Sequence, residues 1–552
     1  MRFAAHRAQQ GRMGHVPDHG SPDSLKEACG VFGVYGPGQP VAQLTYLGLF
    51  ALQHRGQEAA GMAVSDRATL TVVKDQGLVA SVFDERTLAG LSGDLAIGHT
   101  RYSTTGSSTW RNAQPSYRSV GDEEFALGHN GNLVNTAALA DDAGMLPGTV
   151  TSDSDLIAEL LALELARVNG PPVPAPWAPP SGGNGGNGGN GGGTGGNGHG
   201  HGSTPAPAPG IVPATGSNGG GSNGATPHRA LERALLHVLP RLEGAFSLVL
   251  MDEGSVVGVR DPQGFRPLAL GRLGDGWVLA SETPALDIVG ATFERELEAG
   301  EMVVIDADGV RSFHPFAAER VDPRLCLFEF VYFARPDSRL YGRSVHQARI
   351  AMGEQLADQA PAPADMVIGV PESGVPAAEG FARRSGVMLG QGLVKNRYIG
   401  RSFIAPSQEK RAQSVRMKLN PLRENIEGKR LVVVDDSIVR GTTQRQLTTM
   451  LREAGVREVH LRITSPPVAW SCFYGIDTGD RSELLASKLK VDEIRDYLGV
   501  DSLAYLELDR LVDATGTVGT ADSGFCDACF TGHYPVEIPV ELSKHVLEGA
   551  SY

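Results

Sequence analysis

A chain of 552 residues with 41% hydrophobic and 20% charged content is long enough for several domains, each with a core of its own. Its formal net charge of -14 argues against a nucleic-acid binder that works by releasing counterions, its local basic clusters suiting a small anionic ligand better, and its five cysteines argue for a reducing cytoplasm over a disulfide scaffold. No apolar run reaches the roughly 18 residues of a membrane span, and Met1 to His19 has arginines but no apolar core, so neither a transmembrane helix nor a secretory signal is expected.

In chain order, the first predicted strand is Gly30 to Tyr35, with Cys29 at its head, followed by Gly61 to Val64, Leu70 to Lys74, Leu95 to Thr100 and Glu124 to His129. From about residue 169 to 226 the sequence turns to Pro, Gly, Asn and Ser, which cannot bury enough apolar area to offset ordering entropy; a disordered loop is expected. His199 and His201 within it could hold a metal, but on a glycine-rich chain they read as solvated residues. An amphipathic helix is predicted over Ala230 to Leu242, then strands over Ala245 to Met251, Ser255 to Arg260, Leu268 to Arg272, Gly276 to Ser281 and Glu301 to Asp306. Short strands on both sides make the tract an insertion within one α+β domain, 29–315, of two packed antiparallel sheets with helices outside. Beyond it, Met366 to Val370, Leu431 to Val434 and Glu458 to Ile463 alternate with helical stretches, which predicts an α/β domain, 316–552, on an open parallel sheet.

Most of the second domain's chemistry lies between Leu431 and Thr443. An apolar strand ends in Asp435 and Asp436, and Ser437, Arg440, Gly441, Thr442 and Thr443 form a turn into a helix predicted over Gln444 to Ala454. Backbone N–H groups and hydroxyls there can ring a phosphate, and paired acids suit ribose hydroxyls or a hydrated divalent cation. A buried strand with a polar turn would explain the valines but not the paired acids. The run resembles the phosphoribosylpyrophosphate (PRPP) signature of type I phosphoribosyltransferases. A second turn, with Glu372, Ser373 and Gly374, could receive a pyrophosphate. Between them lies a basic stretch that includes Lys395, Arg397, Arg401, Lys410, Arg411 and Arg416. Such a run is usually a solvated face, but its place between two phosphate loops suits a mobile cationic lid.

Cys29 alone would pass for a small hydrophobe at a strand end. Downstream come Gln53-His54-Arg55-Gly56-Gln57-Glu58, Gly98-His99-Thr100-Arg101-Tyr102, Gly128-His129-Asn130-Gly131-Asn132 and Thr151-Ser152-Asp153-Ser154-Asp155. In that order they resemble the N-terminal-nucleophile (class II) glutamine amidotransferases, a four-layer sandwich. The resemblance implies that residues 1–28 are a propeptide and that Cys29 becomes the mature N-terminus and nucleophile. It also implies that Arg101 and Asp153 bind glutamine together with Arg55, that His99 supports them, and that Asn130 and Gly131 form the oxyanion hole. A thiol with an ordinary pKa of about 8.5 is mostly protonated at neutral pH, and a freed α-amine near about 8 can serve as its base.

Cys326, Cys472, Cys526 and Cys529 remain, the last two as a CxxC; the spacing suits one tetrathiolate site for either zinc or an iron-sulfur cluster. Their surroundings resemble the iron-sulfur subclass of glutamine PRPP amidotransferases, and apart from leader and insertion the whole chain is similar to that family. The resemblance implies transfer of the glutamine amide nitrogen to PRPP, giving 5-phosphoribosylamine at the first committed step of purine biosynthesis. It further implies one Mg²⁺ per subunit, held by Ser373, Asp435 and Asp436, one [4Fe-4S] cluster per subunit, inhibition by purine nucleotides, and a cytoplasmic homotetramer. A class II amidotransferase of the sugar-isomerase type would lack the PRPP signature. An iron-sulfur regulatory protein on a degenerate transferase fold would lack catalytic positions, and none is missing.

Overall fold

The central strands are buried along nearly their whole length, because apolar residues pack on both faces of their sheets. The computed structural model describes residues 29–102, 109–169, 229–396, 418–478, 480–516 and 524–539. The expected propeptide, the insertion beyond Asn169, and Arg397 with most of the basic stretch lie outside the described residues.

A seven-stranded antiparallel sheet runs, edge to edge, Thr292–Glu296, Ala269–Leu273, Gly276–Ala280, Gly30–Tyr35, Leu95–Arg101, Ala59–Ser65 and Leu70–Gln76. A six-stranded antiparallel sheet runs Gly309–Phe313, Met302–Asp306, Val256–Arg260, Gly244–Met251, Glu123–Leu133 and Ser116–Val120. Val31, Ile97 and Leu279 of the first interdigitate with Ala126, Val249 and Val303 of the second. The opposite faces are covered by helices: Val41–Ala51 and Thr283–Ile288 on the seven-stranded sheet, Asp153–Asn169 and Arg229–Val238 on the six-stranded one. Helix, sheet, sheet and helix make the expected four layers.

The second sheet system is parallel, in the order Met366–Gly369, Arg430–Asp435, Glu458–Ile463, Ser502–Tyr505. Val432 and Val434 face the helices Val345–Gln359 and Val375–Ser385, while Leu431 and Val433 face Thr442–Glu453 and Val491–Leu498. Burial on both faces is why this strand reads as an unbroken apolar run.

Two departures from the sequence reading matter for function. The strand expected to stop at His129 continues to Leu133, with Asn130 opposite Ser247 and Gly131 opposite Phe246. The three-residue strands Arg324–Cys326 and Gly524–Cys526 pair in parallel, which brings the C-terminal CxxC back beside Cys326.

Candidate active sites

Register sets the first site. Gly30 is paired with Thr100, so Cys29 and Arg101 stand at adjacent ends of neighbouring strands. The Cys29 thiol donates to Tyr102 O at 3.3 Å, and Tyr102 N–H donates back to Sγ at 3.4 Å. Burial pushes this thiol up to about 11, against the opposing pull of the Tyr102 backbone and Arg101. Asp153 opens the helix Asp153–Asn169, where the dipole favours an anion. Its carboxylate accepts from Ser154 N at 2.8 Å and Leu133 N at 3.3 Å and lies 3.5 Å from His129 Nδ1. Burial acts to raise its pKa, but His129 and these N–H groups outweigh that and hold it below the ordinary carboxylate range.

Cys29, Arg101, Gly131 and Asp153 line one small recess with Gln114 and His129. A cation and an anion across a small recess match an α-amino acid, whose own charges are the reverse. Next to it, Gly131 has φ +153°, and a Cβ there would stand 2.0 Å from Ala245 O, so only glycine fits. Asn130 does not line the recess, but both polar atoms of its side chain are buried with no hydrogen-bond partner among the described residues. His99 Nε2 donates to His129 O at 3.0 Å, and burial lowers the His99 pKa to about 3, so the ring stays neutral.

Arg55 does not enter this recess. It is buried between Glu282 and Glu329, bonding Glu329 Oε2 from Nη2 at 2.5 Å, rather than lining the recess where it was expected to help bind glutamine. Arg266 adds a contact to Glu329 at 3.2 Å, so two guanidiniums meet two carboxylates out of water.

At the second site, Asp435 ends its strand, and the Gln444 amide donates to it. The Asp436 N–H donates to Asp435 Oδ1 at 2.9 Å, Ser437 Oγ donates to Asp436 at 2.5 Å, and Ser373 also bonds Asp436. Burial, reinforced at Asp435 by its acidic neighbour, raises both carboxyls. The Arg349 guanidinium faces Asp436 and donates to Phe330 O and Ala334 O. Gly374 packs so tightly that a Cβ would sit 2.4 Å from Val434 O, which ties the Glu372–Gly374 turn to the signature strand. Gly441, at φ +78°, precedes the helix Thr442–Glu453, and Thr442 and Thr443 form its first turn. Lys395 reaches to 3.8 Å from Glu372, whereas Arg440 pairs with Glu483.

Cys326 is paired with Cys526 across the short parallel ladder, Leu327 N donates to Cys526 O, and Ala469 N and Trp470 N both donate to Cys529 O. All four thiols are free, burial raises each, and those of Cys326, Cys472 and Cys526 act electrostatically on one another and on Cys529. Four free thiols in one buried corner suit a thiolate-held group. Among the described residues, however, no three Cys, His, Asp or Glu side chains are grouped to hold a metal ion, here or at Asp435 and Asp436.

Sequence reasoning assigned no role to Gln114, Glu282, Glu329, Arg349 or Gln444. His129 sat within a quoted motif without one.

Fold and sites together define a glutamine amidotransferase joined to a phosphoribosyltransferase. Residues 221–288 match the glutamine amidotransferase domain model and 344–464 the phosphoribosyl transferase domain model. Amidophosphoribosyltransferase of Mycobacterium tuberculosis is 50% identical over 541 residues, covering 95% of this chain and 90% of that protein. That of Bacillus subtilis is 41% identical over 519 residues, covering 93% and 95%. The solved glutamine PRPP amidotransferase from B. subtilis, complexed with ADP and GMP, superposes with a TM-score of 0.76 at 40% identity, over 94% of this chain and 99% of that one. The chain belongs to the amidophosphoribosyltransferase family.

Proposed function

We propose that Cys29 attacks the glutamine amide and that the ammonia released reaches PRPP bound over Asp435, Asp436 and the Thr442–Thr443 turn. The protein is a pentosyltransferase with a glutaminase half-reaction: glutamine, PRPP and water give 5-phosphoribosylamine, glutamate and pyrophosphate, the first committed step of purine biosynthesis. The convergence of Cys29, Arg101, Gly131 and Asp153 on one recess carries this reading.

Arg101 would take the substrate carboxylate and Asp153 its ammonium, which aims the side-chain amide at Cys29. The Asn130 amide and Gly131 N–H would receive the oxyanion. Removal of residues 1–28 would free the Cys29 α-amine to take the thiol proton. At the other site, Glu372, Ser373, Gly374, Lys395 and Arg397 would take the pyrophosphate, and Ser437, Arg440, Gly441, Thr442 and Thr443 the 5-phosphate. Asp435 and Asp436 would hold the ribose hydroxyls and, with Ser373, Mg²⁺; when bound, that ion neutralises charge on the departing pyrophosphate.

The four cysteines would hold a [4Fe-4S] cluster in a structural role, tying the C-terminal segment to the core. Their buried thiols and the resemblance of their surroundings to the iron-sulfur subclass support this. Anaerobic protein with about four irons per chain and broad visible absorbance is expected, and a colourless zinc protein would contradict it. The nucleotide complex of the B. subtilis relative supports binding of purine nucleotides by this chain. A homotetramer in the cytoplasm completes the proposal. Glutamate release together with PRPP-dependent pyrophosphate release by purified anaerobic protein tests the function itself.

A further inference from the structure

We infer that Gly475 is a positioning residue for the oxyanion-hole peptide at Gly131, and that the segment 473–475 thereby ties the cysteine corner to glutamine hydrolysis. The inference rests on the amidotransferase reading above.

Gly475 has φ +96°, a region that favours glycine. A Cβ built on it would lie 2.9 Å from Gly131 Cα and 3.0 Å from the Gly131 carbonyl carbon. The two backbones therefore touch with no side chain between them. From the other side, a Cβ on Gly131 would meet Ala245 O at 2.0 Å, so the Gly131 peptide is held between the strand Gly244–Met251 and residue 475. Asn132 Nδ2 donates to Phe473 O at 3.0 Å and adds a directional tether next door.

The segment that presses on Gly131 is itself fixed. Arg266 donates twice to Tyr474 O, at 3.1 and 2.7 Å, and the Phe265 ring stacks on Tyr474 at 4.3 Å. The Tyr474 hydroxyl donates to Val536 O at 2.6 Å and accepts from Val536 N at 3.0 Å. At its start, Tyr474 N donates to Cys472 Sγ at 3.4 Å. Cys472 thus begins a segment that is pinned at Tyr474 and held against Gly131 at Gly475, where there is no room for a displaced backbone. Losing one oxyanion donor costs about 10²–10³ in kcat, so a partial misplacement is large enough to measure.

The test is Gly475→Ala, with Asn132→Ala as a second variant that removes the tether without adding atoms. In both, kcat with glutamine is expected to fall, by about tenfold or more in Gly475→Ala. KM for glutamine and ammonia-dependent transfer stay near wild type, because the Arg101 and Asp153 grip and the PRPP site are untouched. A second readout is binding of glutamate γ-semialdehyde. As the thiol proton passes to the freed Cys29 α-amine, the sulfur bonds the aldehyde carbon, the C=O π pair moves to oxygen, and that oxygen occupies the hole, so its affinity falls with kcat. Alkylation of Cys29 by iodoacetamide, which makes no oxyanion, keeps its wild-type rate.

Wild-type aldehyde affinity in both variants overturns the inference and leaves the amidotransferase reading standing. Equal loss of ammonia-dependent transfer in both also overturns it, since that marks a merely structural contact. Glutamine use by Cys29→Ala would remove the reading and the inference with it.

Discussion

Arg55 and Glu329, 274 residues apart, form a buried ion pair that joins the antiparallel sandwich to the parallel-sheet unit. Glu282 and Arg266 complete the group, and Glu282 also accepts from His54, Ser338 and the Arg335 N–H. The glutamine site and the phosphate site are thus held in one frame by charges that water cannot screen.

Removing one partner leaves an uncompensated buried charge. Arg55→Ala is expected to destabilise by about 3–5 kcal/mol, read as a lower unfolding midpoint in denaturant. Arg55→Lys should rescue little, because an ammonium cannot serve two carboxylates as a planar fork does. A loss below about 1 kcal/mol, the range of a surface pair, contradicts this.

The Cys29 thiol, raised to about 11 by burial, should be unreactive at neutral pH while residues 1–28 remain attached. Its alkylation by iodoacetamide should then climb only as pH approaches 11. In a chain beginning at Cys29 the freed amine, ordinarily near about 8, supplies a base, and the rise should move down toward that pH. Identical pH profiles for the two forms would remove the amine from the mechanism.

Asp435 and Asp436 illustrate stability given up for function. A carboxyl raised in the folded chain opposes folding when ionised: the penalty is absent below its unfolded pKa and complete above its folded one. At neutral pH, Asp435→Asn should therefore raise the unfolding midpoint of metal-free protein while reducing PRPP-dependent transfer to background. Glutaminase activity should persist. Mg²⁺ with PRPP should stabilise wild type by about 2.7 kcal/mol at a hundredfold excess over Kd, and the variant far less.

The apolar run at Leu431 and the acids after it were legible because a strand buried on both faces has few other readings. The strand was expected to end at His129, before the glycine and asparagines; pairing with Gly244–Met251 extends it to Leu133, so tertiary contact overrode local preference. The strands that carry Cys326 and Cys526 are three residues long and have no period to read. Gln114 and Arg349 are single polar residues in ordinary surroundings, and only the folded chain shows what they face. Arg55 was legible as important, but a sequence does not say which acid an arginine meets.

Lys74 ties the recess to pH. Its ammonium donates to Ala113 O and Pro115 O, which flank Gln114, and burial lowers it from 10.5 to about 8. The folded chain therefore holds this proton less tightly than the unfolded chain. The penalty is full below pH 8 and fades as pH rises to 10.5, a gain of roughly 3 kcal/mol. Lys74→Met lacks the titration, so unfolding midpoints of the two proteins across that window should diverge in favour of wild type. A constant difference contradicts the burial argument.

The most direct measurement is PRPP-dependent pyrophosphate release by Cys29→Ala, with glutamine and with ammonia as alternative nitrogen donors. The variant is expected to be inactive with glutamine and to match wild type with ammonia, since the phosphoribosyl site keeps all its residues. Activity with glutamine, or loss of both reactions in a folded variant, would contradict a nucleophile at Cys29 feeding a separate transferase site.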